Sequence, residues 1–237
     1  MRLDIHLTKH NNIQSRNKAN ELIKAKKVLI DGKIVTKPSF LVHDSHKIEI
    51  DEENFFVSRA AYKLKYFLEE KNIDMSNNDA LDIGSSTGGF TQILLENGVK
   101  SVTCVDVGSN QLHGSIKDDS RIIIKENTDI REFKSNKTFE VVTCDVSFIS
   151  ILYIIEDINR LSKDKIIILY KPQFEVGKDI KRDSKGMVMD DTAISRCRDE
   201  FLDITKKMQW NLITSSKSKL AGKSGNIEEL YYFRKEL

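Results

Sequence analysis

The residues best suited to chemistry lie in Ala80-Leu-Asp-Ile-Gly-Ser-Ser-Thr-Gly-Gly-Phe90, an apolar strand that ends in a Gly/Ser loop and opens a helix. Such a junction leaves unpaired backbone N–H groups aimed at a ligand. Gly84, Gly88 and Gly89 let the backbone come close to it and adopt positive φ. Asp106 ends the next predicted strand, where a carboxylate can accept hydrogen bonds from ribose hydroxyls. The pattern points to a nucleoside-containing cofactor. A dinucleotide fingerprint would read G-x-G-x-x-G, and this loop does not.

Four further positions are ionisable residues in or beside apolar elements: Lys63, Asp145, Lys171 and Glu228. Asp145 and Lys171 each follow an apolar strand. In a parallel α/β sheet the C-terminal strand ends share one rim, so these two are expected together. Taken singly, each of the four reads as an ordinary surface charge.

These residues need a scaffold, and the hydrophobic pattern describes one. From residue 58 helices alternate with short apolar strands, as in a doubly wound α/β domain. Ser58 can cap a helix whose Ala61, Leu64, Phe67 and Leu68 share a face. Strands are predicted over 80–83, 101–107, 121–124, 141–144 and 165–170, with helices over 89–96 and 149–161. A basic loop, 171–189, precedes a helix over 192–208 and two strands, 210–215 and 229–234. Residues 1–50 read as a separate small α+β unit. Ser15 caps a helix over 16–26, Asp31-Gly32 turns a hairpin, and a strand follows over 47–50. Polar residues in 51–57 mark a linker to the domain 58–237.

The chain has 237 residues, 39% apolar and 31% charged, enough for one medium core plus a small domain and unlike a disordered or collagenous sequence. Its three cysteines are scattered, which suits free thiols in a reducing cytoplasm and not a disulfide scaffold. No apolar run approaches a membrane span, and the first residues lack a signal-peptide core. Net charge is +2, but residues 1–50 carry ten Lys and Arg against five Asp and Glu, an excess that suits a polyanion.

From Asp82 to Phe90 the sequence D-x-G-x-x-x-G-G-F resembles the first motif of S-adenosylmethionine-dependent methyltransferases. The resemblance implies a Rossmann-like class I methyltransferase sheet with S-adenosylmethionine as cofactor. It puts Asp82, Gly84, Ser85, Ser86, Thr87, Gly88, Gly89 and Phe90 at the methionine end. Asp106 and Val107 then meet the ribose, Asp129 faces the adenine, and Asp145 borders the same pocket. The domain looks like the FtsJ-type ribose 2′-O-methyltransferases, whose Lys-Asp-Lys-Glu tetrad maps onto Lys63, Asp145, Lys171 and Glu228.

More narrowly, Ser58-Arg-Ala-Ala-Tyr-Lys-Leu64, Asp145-Val-Ser-Phe-Ile-Ser150, Lys171-Pro-Gln-Phe-Glu175 and Gly225-Asn-Ile-Glu228 resemble the TlyA family, often labelled haemolysin A. Arg2-Leu-Asp4, Ser15-Arg16 and Val28-Leu-Ile-Asp-Gly32 resemble the S-four-type RNA-binding domain of ribosomal proteins. Departures fall at Ala60-Ala61, Ser109-Asn110 and Ser218-Lys-Leu220, and none removes a tetrad side chain.

The resemblance implies a cytoplasmic enzyme that methylates the ribose 2′-hydroxyl of a cytidine in ribosomal RNA, within a subunit or ribosome. The target is large-subunit 23S RNA, with small-subunit 16S RNA a further substrate of some members. Lys171 is the expected proton acceptor. A lysine base needs a pKa well below the ordinary ~10.4. Burial or a neighbouring ammonium lowers it, whereas carboxylates raise it. Expected RNA contacts are Arg2, Arg16, Lys18, Lys24, Lys33, Arg59, Lys178, Lys181, Arg182, Lys217 and Lys219, with Lys223 in the same basic run.

Four other readings compete. Cys144 beside Asp145 could be a thiol nucleophile, although a cysteine on an apolar strand is usually a small buried hydrophobe. The pairs His6/His10 and His43/His46 have metal-ligand spacing without supporting carboxylates or cysteines, so no metal site is expected. A membrane-active cytolysin or a non-catalytic ribosome-assembly factor would need no methyl donor.

Overall fold

The computed structural model describes residues 1–11, 13, 15–24, 26–50, 56–222 and 224–236. The chain forms two compact units, Met1–Phe55 and Phe56–Leu237. Of the segment read as a linker, 51–55 lie outside the described residues. Phe56 and Val57 are buried in the second unit, the Phe56 ring lying edge-on to Tyr62 at 4.5 Å and the Val57 amide donating to Gln92 Oε1 at 2.9 Å. The polar run ends at Asn54, so the stretch read as linker took in Phe56 and Val57, which pack within the second unit.

In the first unit, α1 (Leu3–His10) and α2 (Arg16–Lys24) accompany a three-stranded sheet. Its strands β1 (Val28–Ile30), β2 (Lys33–Ile34) and β3 (Ile48–Ile50) pair antiparallel in the order β2-β1-β3. Asp31 at φ 50° and Gly32 at φ 74° make the left-handed pair that a two-residue hairpin turn demands. Ser15 Oγ accepts the Lys18 amide at 3.2 Å, capping α2. Leu3, Leu7, Ala19, Leu22, Ile23 and Val28 fill the core. The sequence reading missed α1, whose first amides are satisfied by the carbonyls of Phe40 and Pro38.

The second unit is built on a seven-stranded sheet. In chain order the strands are β4 (Asp79–Ile83), β5 (Ser101–Val105), β6 (Ile122–Lys125), β7 (Phe139–Cys144), β8 (Ser162–Tyr170), β9 (Trp210–Lys217) and β10 (Glu229–Lys235). Their spatial order is β6-β5-β4-β7-β8-β10-β9. The first five run parallel, and β10 inserts antiparallel between β8 and β9. This is the Rossmann-like α/β arrangement expected.

Among the described residues the α-helices of this unit are α3 (Arg59–Lys71), α4 (Gly89–Glu96), α5 (Ile155–Leu161), α6 (Pro172–Glu175) and α7 (Asp191–Lys207). The helix read over 149–161 starts later, because Ser150 caps one tight turn at Ile151–Tyr153 before α5. Phe201 of α7 is fully buried, its ring 5.2 Å from Tyr170, 5.5 Å from Tyr231 and 6.0 Å from Phe233. Truncating such a residue to Ala costs about 3–5 kcal/mol. Among the described residues no helix is long and apolar enough to cross a membrane.

Candidate active site

Strand direction decides what meets at the rim. Ile83 pairs with Cys144, and Cys144 with Ile168, so the segments after β4, β7 and β8 leave the sheet from one edge. β10 runs the other way and pairs Glu229 with Tyr170. The residue before β10, Glu228, therefore shares that edge with the residue after β8, Lys171.

A cavity of about 370 Å³ opens there, lined by Gly84, Ser86, Asp106, Val107, Asp129 and Asp145, with Ile83, Val105, Ile130 and Ile154 as an apolar floor. A smaller one of about 170 Å³ shares Gly84, Ser86, Asp145 and Ser147 and adds Ser85, Thr87, Gly89, Phe90 and Lys171. Gly84 has φ +76°, and a Cβ there would lie 2.9 Å from the Asp145 carbonyl oxygen. The carboxylate of Asp106 accepts the Ser86 amide at 2.8 Å and the Gly108 amide at 2.7 Å. Each oxygen keeps a lone pair for a further donor. Carboxylates that receive hydroxyls, an apolar floor for a flat base and a backbone free of side chains fit the adenosine part of S-adenosylmethionine.

Two residues expected at the cofactor, Asp82 and Gly88, line neither cavity. Asp82 is fully buried. Its oxygens accept the hydroxyls of Thr91 on α4 at 2.6 Å and Thr143 on β7 at 2.8 Å, and burial pushes its carboxyl up to about 6. It pins the loop from beneath. Gly88 lies under Leu112 and Ile116, whose side chains occupy the space a Cβ would need. Asp129 lines the large cavity, but Arg131 engages its carboxylate at 2.5 Å and holds it below the usual carboxylate range.

Two ion pairs stand at the rim. Lys63 Nζ lies 2.5 Å from Glu228 Oε2, and Lys171 Nζ lies 2.5 Å from Asp145 Oδ1. The four side chains are only 10%, 4%, 10% and 15% exposed, in that order. The Lys171–Asp145 approach lacks hydrogen-bond alignment, leaving Asp145 Oδ1 without a hydrogen-bond partner among the described residues. Lys171 donates instead to Ser147 Oγ at 2.9 Å. Burial pushes the Asp145 carboxyl up, against the pull of Lys171 and then Lys63, while Glu228 pushes in the same direction as burial. Asp145 thus feels all three of the other groups. Two cations offset two anions, which is what makes four charges tolerable at this depth.

Sequence reasoning missed Ser147 and Gln173, whose Nε2 donates to Glu228 Oε1 at 3.1 Å. Their signal was position alone, each two residues beyond a rim charge. Cys144 is no nucleophile, because burial pushes its thiol up to about 12 and it stays protonated.

The expected RNA contacts divide. Arg2 and Arg16 both bond the buried Asp4, at 3.0 and 2.7 Å, yet their own side chains stay about half exposed. Arg2 chiefly holds the Asp4 carboxyl down at about 2, with Arg16 adding to the effect. Lys24, Lys33, Lys178, Lys181 and Lys217 are exposed, whereas Lys18 is half-buried and its pKa is lowered by burial. Arg59 is exposed and donates to the Ala221 carbonyl, and Lys219 pairs with Glu70 at 3.0 Å. Arg182 is spent on the protein, its guanidinium bonding the carbonyls of Gln173, Gly177, Lys178 and Ile180. It clamps its own loop and offers little to a phosphate. Lys223 lies outside the described residues.

Comparison with known proteins agrees with this geometry. Residues 56–235 match the FtsJ-like methyltransferase family, and residues 1–48 match the S4 domain. The 23S rRNA (cytidine-2′-O)-methyltransferase TlyA of Campylobacter jejuni is 48% identical, covering 99% of this chain and 100% of that protein. The 16S/23S rRNA (cytidine-2′-O)-methyltransferase TlyA of Mycobacterium tuberculosis is 35% identical over 98% of this chain and 89% of its own length. A solved structure described as a hemolysin, from Streptococcus thermophilus, superposes with a TM-score of 0.73 at 28% identity, covering 99% of this chain and 88% of the other. On sequence, domain order and fold, the chain belongs to the TlyA family, in which an FtsJ-like methyltransferase domain follows an S4 domain.

Proposed function

We propose that this chain transfers the methyl group of S-adenosylmethionine to the ribose 2′-hydroxyl of a cytidine in 23S ribosomal RNA. The observation that carries the reading is the convergence of Lys63, Asp145, Lys171 and Glu228 beside a cavity shaped for a nucleoside. The relatives from C. jejuni and M. tuberculosis, both (cytidine-2′-O)-methyltransferases of rRNA, support it. Residues 1–50 dock RNA through Arg2 and Arg16, and 58–237 perform the transfer on a ribosomal subunit or ribosome in the cytoplasm.

When bound, S-adenosylmethionine supplies a methyl group already activated by its sulfonium. What the protein must add is alignment and a place for the proton that the 2′-hydroxyl loses. Lys171 in its neutral form takes that proton at Nζ and becomes the ammonium, held toward the cavity by Asp145 and Ser147. Lys63 and Glu228 offset this charge change at the rim. Asp106 and the loop it fastens fix the adenosine end, so the transferred carbon and the accepting oxygen can be set in line. Phe148, 92% exposed at φ 67° on the cavity border, offers a ring face to a base withdrawn from its stack.

The test incubates purified protein with isotope-labelled S-adenosylmethionine and large subunits, small subunits or protein-free 23S RNA, then maps ribose methylation. Label on one cytidine 2′-oxygen of 23S RNA is expected. Label on a base, or none in any RNA despite calorimetric cofactor binding, would overturn the reading. Label in 16S RNA as well would widen the substrate and leave the reaction unchanged.

A further inference from the structure

Glu228 is gripped at both oxygens. Lys63 holds Oε2, and Gln173 Nε2 donates to Oε1 at 3.1 Å. An ionised carboxylate only accepts, so the NH₂ end of Gln173 must face it and the amide oxygen must face away. That oxygen, Gln173 Oε1, is buried and has no hydrogen-bond partner among the described residues. A buried acceptor left without a partner loses its hydration for nothing in return, so the arrangement is not the one that stability alone would favour.

Space around the Glu228 carboxylate is also reserved. A Cβ at Gly222 would lie 2.5 Å from Glu228 Oε1 and 3.4 Å from the Asn226 carbonyl oxygen, so any side chain there would push the carboxylate off Gln173. The two segments that carry the contact are tied together independently. Arg182 bonds the Gln173 carbonyl at 3.2 Å. Asn226 accepts the Val188 amide at 3.0 Å and donates to the Gly186 carbonyl at 3.2 Å. The 182–188 loop therefore braces the segments bearing Gln173 and Glu228 at once.

We propose that Gln173 is a positioning residue for methyl transfer, fixing the Glu228 carboxylate and through it the Lys63 ammonium. The role deepens the function proposed above and rests on it. Gln173 sits two residues after Lys171 on α6, so one short helix sets both the expected proton acceptor and, by this amide, the opposite ion pair. The charged groups acting around Glu228 are Lys63 from α3 and Asp145 after β7, with Lys171 beyond Asp145.

Gln173→Glu and Gln173→Ala test the role. In Gln173→Glu two carboxylates face each other; they repel when both are ionised and can share a proton in mild acid. Relative to wild type at each pH, kcat should fall about 10- to 100-fold at pH 7.5 and recover toward wild type near pH 6. Gln173→Ala should lower kcat comparably with no such recovery. Both should keep KM for S-adenosylmethionine within about twofold. A merely structural amide would lower the melting temperature and leave a pH-independent activity ratio, and that result would overturn the proposal. So would an alanine variant with kcat within twofold of wild type.

The contact is also read without turnover, from the side-chain amide resonance of Gln173 in labelled protein. It should move in Glu228→Ala, and an unmoved resonance would overturn the proposal even if Gln173→Glu fails to fold. Wild-type protein that methylates no RNA while this resonance responds would count against the function and not against the contact.

Discussion

Lys63 and Glu228 stand 165 positions apart in sequence and 2.5 Å apart at their charged atoms, both buried. Neither charge is well solvated, so each depends on the other. Lys63→Met should cost about 3–5 kcal/mol of unfolding free energy by stranding Glu228. Lys63→Met combined with Glu228→Leu should regain most of that stability in urea titrations. The same double variant should transfer no methyl groups. If the double variant methylates RNA at the wild-type rate, the pair has no part in the reaction.

Lys171→Arg keeps the positive charge beside Asp145 but removes a side chain able to lose a proton, since guanidinium stays protonated at any working pH. Transfer should be abolished across the pH range, with calorimetric binding of S-adenosylmethionine preserved. Full activity would exclude Lys171 as the acceptor.

Asp82 predicts a stability profile. Burial raises its carboxyl from an ordinary 3.8 to about 6, so between those values the folded protein holds a proton that the unfolded chain has released. The contribution of Asp82 should therefore fall as pH rises through that window, by an amount on the order of 3 kcal/mol once pH 7 is reached. Asp82→Asn should flatten this component in urea unfolding measured from pH 4 to 7. An unchanged slope would mean the carboxyl is not held in this way.

Gly84→Ala should be costly twice over. Its φ of +76° strains any side chain, and the added methyl would meet the Asp145 carbonyl. Weaker calorimetric cofactor binding and slower transfer are expected together, with about 1–3 kcal/mol lost from stability. Loss of stability alone would separate the loop from Asp145.

Arg16 has its own signature. Removing it leaves Asp4 with Arg2, so the first unit should remain folded. If Arg16 meets a phosphate, Arg16→Ala should reduce the slope of log affinity against log salt by about one, without changing nucleotide preference. An unaltered slope would confine Arg16 to its bond with Asp4.

Much of this architecture could be read in advance because strands and strand ends follow simple rules. The predicted strand over 141–144 and helix over 89–96 lie within or on the observed β7 (Phe139–Cys144) and α4 (Gly89–Glu96), and parallel strands put Asp145 and Lys171 on a common edge. Asp82 was misread for a definite reason. β4 is buried on both faces, so no alternation of polar and apolar residues told which way its carboxylate points. Arg182 was misread because a basic residue in a basic loop looks solvated, and only the folded loop brings four carbonyls to one guanidinium. α1 was missed because its chain entry is secured by carbonyls some 35 residues away in sequence, those of Pro38 and Phe40.

With no room for a methyl between Gly84 and the Asp145 carbonyl, the loop proposed to hold the adenosine and the segment that bears the carboxyl share one wall. Occupancy on one side must then register on the other. By reciprocity, whatever factor the bound methyl donor applies to the acidity of Asp145, the charge state of Asp145 applies to the grip on the donor. A compound that filled the cavity beside Asp106 would therefore meet Asp145 on the same wall and shift the charge balance that Lys171 depends on.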